Sequence, residues 1–491
     1  MGAASRLLPA MSLIHYDASL ILHWGDETAV GIVRVEHYIV DHLFKTADRP
    51  LNFVRFDPAA GGFRDATAQE TRAVLRIVAV AHGRTPEAEP EPAEAPPPVS
   101  EPVPSVGARL ARFAEAVART PRSQAPQALR AWLGHALPSN ALAVRALRVG
   151  LYIGALSANT VIRGARLAVR RGPPPPAPEP APPAPSRAVE WNHGDVLVCA
   201  ANGWDYLDYD QLAAVVALGV RLVSVCYDVI VVEHPEVAAV PPDRLHRYFV
   251  EMAHLSETVL TVSETSREAF QRVICAPNDI DCRVVAGRVP NLLFAHAEAI
   301  GEVETAELAG RPFAVFCATI EVRKNHMLLL RVWERLAERL APEDLPILVF
   351  VGKWGWRVDE VRFFAEHGRR LRGKLRIYNK ASDAELIWLY RNARFALFPS
   401  FYEGLGNIEP LTFGTPMITS DHASMLEATE GLMPALDPLD APAWTEEIER
   451  LIREPARLEV LRATARDRFA NLGPATFGDA LTAAVTGAAR G

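Results

Sequence analysis

Two glutamates bracket a glycine-rich turn in the last fifth of the chain. Glu403 and Glu409 lie on either side of Gly404 and Gly406, between two short apolar runs typical of buried strands. Free backbone N–H groups in a glycine-rich turn that leads into a helix suit a phosphate or a sugar oxygen. A carboxylate that accepts two hydrogen bonds can hold a sugar or ribose diol. The pattern indicates a sugar- or nucleotide-binding turn, with an ordinary strand–turn–helix corner of a parallel sheet as the alternative.

A basic pair stands earlier in the same half. Arg323 and Lys324 follow an apolar strand-like run and open a predicted helix with an apolar face of Leu328, Leu329, Val332 and Leu336. Two cations at a helix N-terminus are unfavourable because the helix dipole places positive charge there. Something anionic should compensate them, and a diphosphate would do so. The alternative is a merely exposed pair.

Polar residues also follow buried strands in the first half of the chain. Tyr227-Asp228 ends one such run, and Trp204-Asp205 and Ser263-Glu264 follow two others. Ligands in parallel sheets bind at the carboxyl ends of strands, which brings these residues together. Asp228 is a candidate for holding an acceptor hydroxyl or a donor sugar, and a loop-fixing aspartate is the alternative. His234 and His246 match no motif and are predicted to be ordinary surface histidines.

Strands that alternate with helices position these residues. Apolar runs near 12–17, 51–56, 194–200, 220–226, 257–263, 312–318, 347–351, 394–398 and 417–420 are separated by helical patterns, which indicates parallel βαβ units. One predicted helix runs from Gly31 to Leu43, with Ile32, Val35, Ile39 and Leu43 on one face and Arg34 in its first turn. Arg34 could reach an anionic group in a cleft, or it could face solvent.

The residues from Phe398 to Pro416, with Ser420 and Glu427, resemble the donor-binding signature of the retaining glycosyltransferases of family 4. That signature runs Pro-Ser-x-Tyr-Glu-Gly-x-Gly, a second Glu, Gly-Thr-Pro, a strand and Ser-x-x-x-x-x-x-Glu. The segment 321–325 is similar to the family's Glu-x-Arg-Lys-Asn, and 31–36 resembles the Gly-Ile-x-Arg-Val-Glu of one branch. In one departure, five residues rather than the usual seven separate the two glutamates, which changes the loop geometry.

The resemblance implies the fold called GT-B, two Rossmann-like doubly wound parallel-sheet domains that face each other across a cleft. It implies retaining transfer of a hexose, with mannose favoured, from a nucleotide-sugar to a hydroxyl of a growing polysaccharide or lipid-linked glycan. The candidate catalytic residues are Glu403, Asp228, Arg323 and Lys324. The candidate donor-binding residues are Gly404, Leu405, Gly406, Glu409, Arg323, Lys324, Gly31 and Arg34. Within this scheme the basic pair neutralises the diphosphate, Glu403 holds sugar hydroxyls and Glu409 holds the ribose. No metal and no cofactor besides the nucleotide-sugar substrate are expected.

Length and composition limit the other classes. At 491 residues the chain is too long for one hydrophobic core, and a net charge of −7 gives no reason to expect nucleic acid as a partner. Five scattered cysteines show no metal-binding spacing and suggest free thiols in a reducing cytoplasm. No apolar run reaches the length of a signal peptide or a membrane span, so a cytoplasmic protein is expected.

An arginine-rich insert interrupts the first half. Residues 106–171 contain eleven arginines and one acid, Glu115, and are flanked by a Pro/Glu-rich linker at 84–105 and a Pro-rich linker at 172–188. Basic amphipathic segments of this kind suit an anionic membrane surface, here the inner face of the plasma membrane, or a partner protein. A solvated helical insertion is the alternative. The predicted organisation places the N-terminal domain at 11–83 and 189–300, the nucleotide-sugar domain at 301–470, and a helix that packs back on the N-terminal domain at 471–491.

Two rival functions remain open. One is another two-domain enzyme of this fold, such as a nucleotide-sugar epimerase. The other is a non-catalytic binding or scaffold protein in a polysaccharide-synthesis complex. The second stays open because of the shortened loop, the insert and Tyr227, which stands at a position where a catalytic histidine is common in the family.

Overall fold

The computed structural model describes residues 12–25, 31–59, 61–82, 84, 187–201, 203–371, 373–406, 408–469 and 476–487. The predicted insert at 106–171, and all but the outer ends of its two predicted linkers, lie outside these residues.

A seven-stranded sheet organises the N-terminal half of the described residues. Its strand order is β3-β2-β1-β4-β5-β6-β7, and every neighbouring pair is parallel except the antiparallel pair β2 and β3. In chain order the strands are β1 (Ile14–Asp17), β2 (Leu51–Asp57), β3 (Gly62–Asp65), β4 (Val196–Cys199), β5 (Arg221–Cys226), β6 (Thr258–Thr261) and β7 (Arg283–Ala286). The helices of this half are α1 (Ser19–Trp24), α2 (Ile32–Thr46), α3 (Ala68–Ala81), α4 (Tyr209–Ala217), α5 (Ile230–Glu233), α6 (Pro242–Leu255) and α7 (Glu264–Phe270).

Two short helices, α8 (Leu292–Ala295) and α9 (Ala297–Ile300), lead to a second, six-stranded parallel sheet. Its strand order is β10-β9-β8-β11-β12-β13. The strands are β8 (Phe313–Cys317), β9 (Ile347–Val351), β10 (Leu375–Tyr378), β11 (Phe395–Phe398), β12 (Met417–Ser420) and β13 (Ala435–Leu436). The helices are α10 (His326–Arg339), α11 (Asp359–His367), α12 (Asp383–Asn392), α13 (Glu409–Thr412), α14 (Ala423–Ala428), α15 (Ala441–Arg453) and α16 (Pro455–Phe469).

The last described helix, α17 (Thr476–Thr486), packs on the first sheet rather than the second. Phe477 and Leu481 are fully buried in the core of the N-terminal half. Gly287 permits this contact, because a Cβ atom on it would lie 2.5 Å from the Cα atom of Phe477. The chain therefore returns to its first domain.

Each sheet reverses its strand order at one place. In the first sheet β1 lies between β2 and β4, and in the second β8 lies between β9 and β11. Such switch points leave a crevice beyond the carboxyl ends of the strands, where ligands of doubly wound sheets bind. The two-sheet architecture predicted from the sequence is confirmed.

Continuous apolar runs form the strands, as expected for parallel strands covered on both faces. All five residues of β9 are buried, and the four predicted apolar positions of α10 are buried in the same core. No helix within the described ranges is long and apolar enough to cross a membrane.

The predicted face of α2 is only partly correct. Ile39 and Leu43 are fully buried, but Ile32 and Val35 are half-buried, and the buried face also includes Glu36. Glu36 is 0% exposed, and the hydroxyl of Tyr16 donates to its Oε2 atom at 3.0 Å. Burial raises the pKa of Glu36 well above its ordinary value, and the nearby carboxylate of Asp17 adds to the effect. Burial therefore favours the neutral, protonated form of Glu36.

We expect Glu36→Gln to stabilise the protein increasingly as the pH rises. The ordinary pKa of glutamate, 4.5, applies to the unfolded chain, so above that pH the unfolded state releases a proton that the folded state keeps. Wild-type stability then falls as the pH rises from about 4.5 toward the folded pKa, whereas the neutral glutamine has no such cost.

Thermal unfolding at about pH 5 and about pH 8 measures this difference. Glu268→Gln is the control, because the side chain of Glu268 is 69% exposed. A difference in melting temperature between Glu36→Gln and wild type that stays constant with pH would contradict a protonated Glu36.

Candidate functional site

The loop between β8 and α10 presents the basic pair. Val322–Lys324 form one 3₁₀ turn, and the α-helix begins only at His326, so the pair lies just before the helix rather than in it. Asn325 joins the two in the left-handed conformation (φ 57°), which asparagine tolerates better than most residues. Its side-chain amide donates to the carbonyls of Pro399 and Pro438 at 3.2 and 2.9 Å, which fixes the loop against the end of β11.

Glu403 lies directly against this pair. Lys324 Nζ is 2.6 Å from its Oε1 atom, and Arg323 Nη1 is 3.0 Å from its Oε2 atom. The side chain of Glu403 is 6% exposed. Burial acts to raise the pKa of Glu403, but the charges of Arg323 and Lys324 outweigh it and bring the pKa to about 2. Glu403 is therefore ionised at any physiological pH.

Two further carboxyl groups surround Arg323. Arg323 Nη2 lies 2.9 Å from Oε1 of the buried Glu321, an ion pair rather than an aligned hydrogen bond. Asp228 reaches the cluster from the end of β5, and Arg323 and Lys324 stabilise its charged form. Burial outweighs the cations for both acids and raises the pKa of Glu321 and of Asp228. Asp228 also fixes its own loop, since its Oδ1 atom accepts from the N–H of Ile230 at 3.1 Å.

Neighbouring atoms leave no room for a side chain at either glycine of the turn. A Cβ atom on Gly404 would lie 2.2 Å from the carbonyl oxygen of Tyr227, and one on Gly406 would lie 2.5 Å from the sulfur of Met425. Neither glycine has a positive φ. Close approach of neighbouring atoms, not backbone strain, requires glycine at both positions, and the N-terminal domain supplies the contact at Gly404.

The second glutamate and Arg34 meet at the other side of the site. Glu409 is the first residue of α13 and accepts a hydrogen bond from the hydroxyl of Tyr390 at 3.1 Å. Arg34, from α2 in the N-terminal domain, pairs with Asp383 of α12 at 2.6 Å. Burial acts to lower the pKa of Arg34, but the carboxylates of Glu409 and Asp383 outweigh it and raise the pKa. Arg34 thus contacts the C-terminal domain rather than solvent.

One cleft of about 1790 Å³ lies between the two sheets. It exceeds the ~300–1,000 Å³ of a typical small-molecule site, so it has room for two substrates. All ten predicted site residues line it: Gly31, Arg34, Asp228, Arg323, Lys324, Glu403, Gly404, Leu405, Gly406 and Glu409. The structure therefore brings these ten candidate residues to one cleft, while their individual roles stay predictions.

Sequence reasoning missed one residue next to the site. His234, predicted to be an ordinary surface histidine, stacks on the ring of Tyr402 with the ring centroids 3.4 Å apart. The side chain of His234 is still 29% exposed, and no sequence pattern predicted the stacking because it joins residues from two domains. The only signal in the sequence was that Tyr402 precedes Glu403.

Part of the chain is similar to known proteins. Residues 302–468 match the family model described as glycosyl transferases group 1. The O-antigen chain mannosyltransferase B of Escherichia coli is 30% identical over 259 residues, which are 50% of this chain and 64% of that protein. The serotype-specific mannosyltransferase WbdA of Escherichia coli is 32% identical over 128 residues, which are 26% of this chain and 14% of that protein. The chain thus spans less than two thirds of either relative.

A solved structure, the N-terminal domain of a Candida albicans trehalose-6-phosphate phosphatase, covers 100% of this chain and 99% of its own with a TM-score of 0.51. At 10% identity this likeness concerns the fold alone. The matched residues 302–468 contain the basic pair and both glutamates of the glycine-rich turn. The segment 302–468 is therefore similar to the glycosyl transferases group 1 family, and the two parallel-sheet domains have the GT-B fold.

Proposed function

We propose that this protein is a retaining hexosyltransferase that moves a hexose, mannose favoured, from a nucleotide-sugar to a hydroxyl of a growing polysaccharide or lipid-linked glycan. The main support is the buried cluster at the switch point of the second sheet, where Arg323 and Lys324 share the carboxylate of Glu403 beside Asp228. The family of the C-terminal domain supports sugar transfer, and the names of the two Escherichia coli relatives support mannose.

The basic pair suits a departing diphosphate. Breaking the bond between the anomeric carbon and a phosphate oxygen leaves negative charge on the nucleoside diphosphate. Preorganised cations and N–H groups in a site shielded from water stabilise such charge as it develops. Arg323 and Lys324 would supply the cations, and the backbone N–H groups of Gly404, Leu405 and Gly406 would assist. No metal is proposed, because the two cations can neutralise the diphosphate.

The carboxylate of Glu403 suits the donor sugar. It uses two of its lone pairs on Lys324 and Arg323, and the others can accept hydrogen bonds from sugar hydroxyls. With a pKa of about 2 it stays ionised and can also favour positive charge that develops on the sugar ring. Glu409, across the turn, is assigned to the ribose hydroxyls of the nucleotide.

The N-terminal domain supplies the acceptor side in this proposal. Asp228 would hold the acceptor hydroxyl or a donor-sugar hydroxyl, since it lines the cleft beside the cluster. Gly31 and Arg34 line the cleft at the start of α2. The guanidinium of Arg34 forms an ion pair with Asp383 there. Retention at the anomeric carbon is expected from the family resemblance. This reaction requires stabilisation of the leaving group more than a strong base.

We expect one nucleotide-sugar to raise the melting temperature of the protein and to be hydrolysed slowly, with release of its nucleotide. GDP-, UDP-, dTDP- and CMP-sugars are each tested with wild type, Glu403→Gln and Glu403→Ala. Hydrogen bonds to charged groups contribute about 1.5–3 kcal/mol, so the variants should release nucleotide about 10- to 100-fold more slowly. Analysis of the sugar product separates transfer or hydrolysis from epimerisation.

Glu447→Gln is the matched control for this screen. Glu447 is also a buried glutamate held by two arginines, Arg450 at 3.1 Å and Arg457 at 2.7 Å, but it does not line the cleft. Its variant should keep the wild-type rate. No thermal shift and no nucleotide release with any donor, also with a glycan acceptor present, would favour a non-catalytic scaffold protein instead.

Membrane-surface binding through residues 106–171 is a separate part of the proposal. Eleven arginines against one glutamate give this segment a strong positive charge, and each basic residue near an anionic surface contributes about 1 kcal/mol. We expect the full chain to sediment with vesicles that contain anionic lipid and not with purely zwitterionic vesicles. A chain without residues 106–171 should stay in the supernatant. Equal sedimentation of the shortened chain would contradict a membrane role for the insert.

A further inference from the structure

We propose that Ser263 and Ser266 of the N-terminal domain are positioning residues for the donor, because they hold and orient the glycine-rich turn of the C-terminal domain. The inference rests on the proposed function and deepens it: the donor site on one domain is completed by two hydroxyl groups of the other. Neither serine is among the residues predicted from the sequence to touch the donor.

The two hydroxyls converge on one carbonyl group. Ser263 Oγ lies 2.6 Å from the carbonyl oxygen of Gly404, and Ser266 Oγ lies 3.0 Å from the same atom. Each hydroxyl has one hydrogen. The contact of Ser263 is the shorter one, so its hydroxyl hydrogen is donated to the carbonyl of Gly404. The hydroxyl hydrogen of Ser266 is shared between the carbonyls of Gly404 and Tyr227, both at 3.0 Å. Both serines are 3% exposed, so water does not replace these bonds.

The bonds to the carbonyl also determine where the next N–H group points. The peptide bonds of the described residues are trans, and in a trans peptide the C=O and the N–H that follows it point in opposite directions. With the carbonyl of Gly404 turned to Ser263, the N–H of Leu405 points away from the hydroxyl of Ser263. This N–H is one of those assigned above to the donor diphosphate.

The preceding peptide is held from the other domain. The hydroxyl of Ser424, in α14, donates to the carbonyl of Glu403 at 2.7 Å. Two consecutive peptides of the turn are thus oriented by hydroxyl groups, one by the C-terminal domain and the next by the N-terminal domain. Because Gly404 has no side chain, the turn can lie this close to the N-terminal domain. A Cβ atom on Gly404 would lie 2.8 Å from the Cβ atom of Asp228.

A second contact between the domains fixes the serines themselves. The carboxylate of Glu427 accepts from the N–H groups of Glu264 and Thr265 at 2.7 and 2.9 Å, and from the hydroxyl of Thr265 at 2.7 Å. Glu427 therefore clamps the two residues that lie between Ser263 and Ser266. These bonds hold both serine hydroxyls in position beside the glycine-rich turn.

The test compares donor turnover by wild type, Ser263→Ala/Ser266→Ala and Ser263→Thr. Because the serines act on an N–H group that stabilises the departing diphosphate, we expect kcat to fall about tenfold in the double variant. KM for the donor should change less than about threefold. Ser263→Thr keeps a hydroxyl and should retain most of the activity. Amide hydrogen exchange of a peptide spanning 402–411 should be faster in the double variant only.

Asp208→Ala controls for loss of a helix cap. Ser263 caps α7 by accepting from the N–H of Ser266 at 3.0 Å, and Asp208 caps α4 by accepting from Asp210 and Gln211 at 3.0 and 3.2 Å. Asp208 does not line the cleft. Its variant loses a helix cap but should keep wild-type kcat. Unchanged kcat in a folded double variant, or an equal loss in Asp208→Ala, would overturn the inference.

Failure of the proposed function would be recognised separately. If wild type turns over no nucleotide-sugar, two measurements still test whether the serines position the turn. These are the binding of GDP and UDP alone and the hydrogen exchange of 402–411. Weaker nucleotide binding by about 3- to 10-fold with faster exchange in the double variant would support the positioning role without catalysis. Binding and exchange equal to wild type would overturn it.

Discussion

Two buried cations that share one carboxylate are the constraint on which the site depends. Arg323 and Lys324 repel each other, and burial together with Arg323 lowers the pKa of Lys324. Such a cluster is stable only with good geometry, because removing charges from water costs several kcal/mol per ion. Glu403 supplies that geometry at 2.6 and 3.0 Å. A backbone hydrogen bond joins the same two loops, since the N–H of Phe401 donates to the carbonyl of Arg323 at 2.9 Å. The loop after β8 and the loop after β11 therefore hold each other.

This mutual support requires that β8 and β11 be neighbours. Ala314 pairs with Phe395 and Val315 with Ala396, so the two strands end side by side at the switch point. A strand inserted between them would separate the cations from Glu403. The order of the second sheet is thus what converts two motifs, about 80 residues apart in the chain, into one charged cluster.

The sequence was informative wherever chemistry lies at a strand end. Periodic apolar runs located the strands, and the rule that parallel strands end at one edge brought Asp228, Arg323 and Glu403 to one cleft. Contacts that depend on how the two domains face each other were not predictable. Arg34 and Asp383 are 349 positions apart, and the stacking of His234 on Tyr402 has no local signature. Glu36 was missed for another reason: apolar periodicity counts a glutamate as polar, whereas this one is fully buried, which favours its protonated form.

The glycine-rich turn shows why the site needs both domains. Within the C-terminal domain, Ser424 and the cation pair hold Glu403, but the carbonyl of Gly404 is directed at the N-terminal domain. If the domains moved apart, this carbonyl would lose both serine hydroxyls, and a carbonyl left without partners while still shielded costs about 1–3 kcal/mol. The turn would then rearrange to reach water, and the N–H of Leu405 would turn with it. The arrangement proposed for diphosphate departure therefore depends on both domains, because each supplies a hydroxyl group that orients one peptide of the turn.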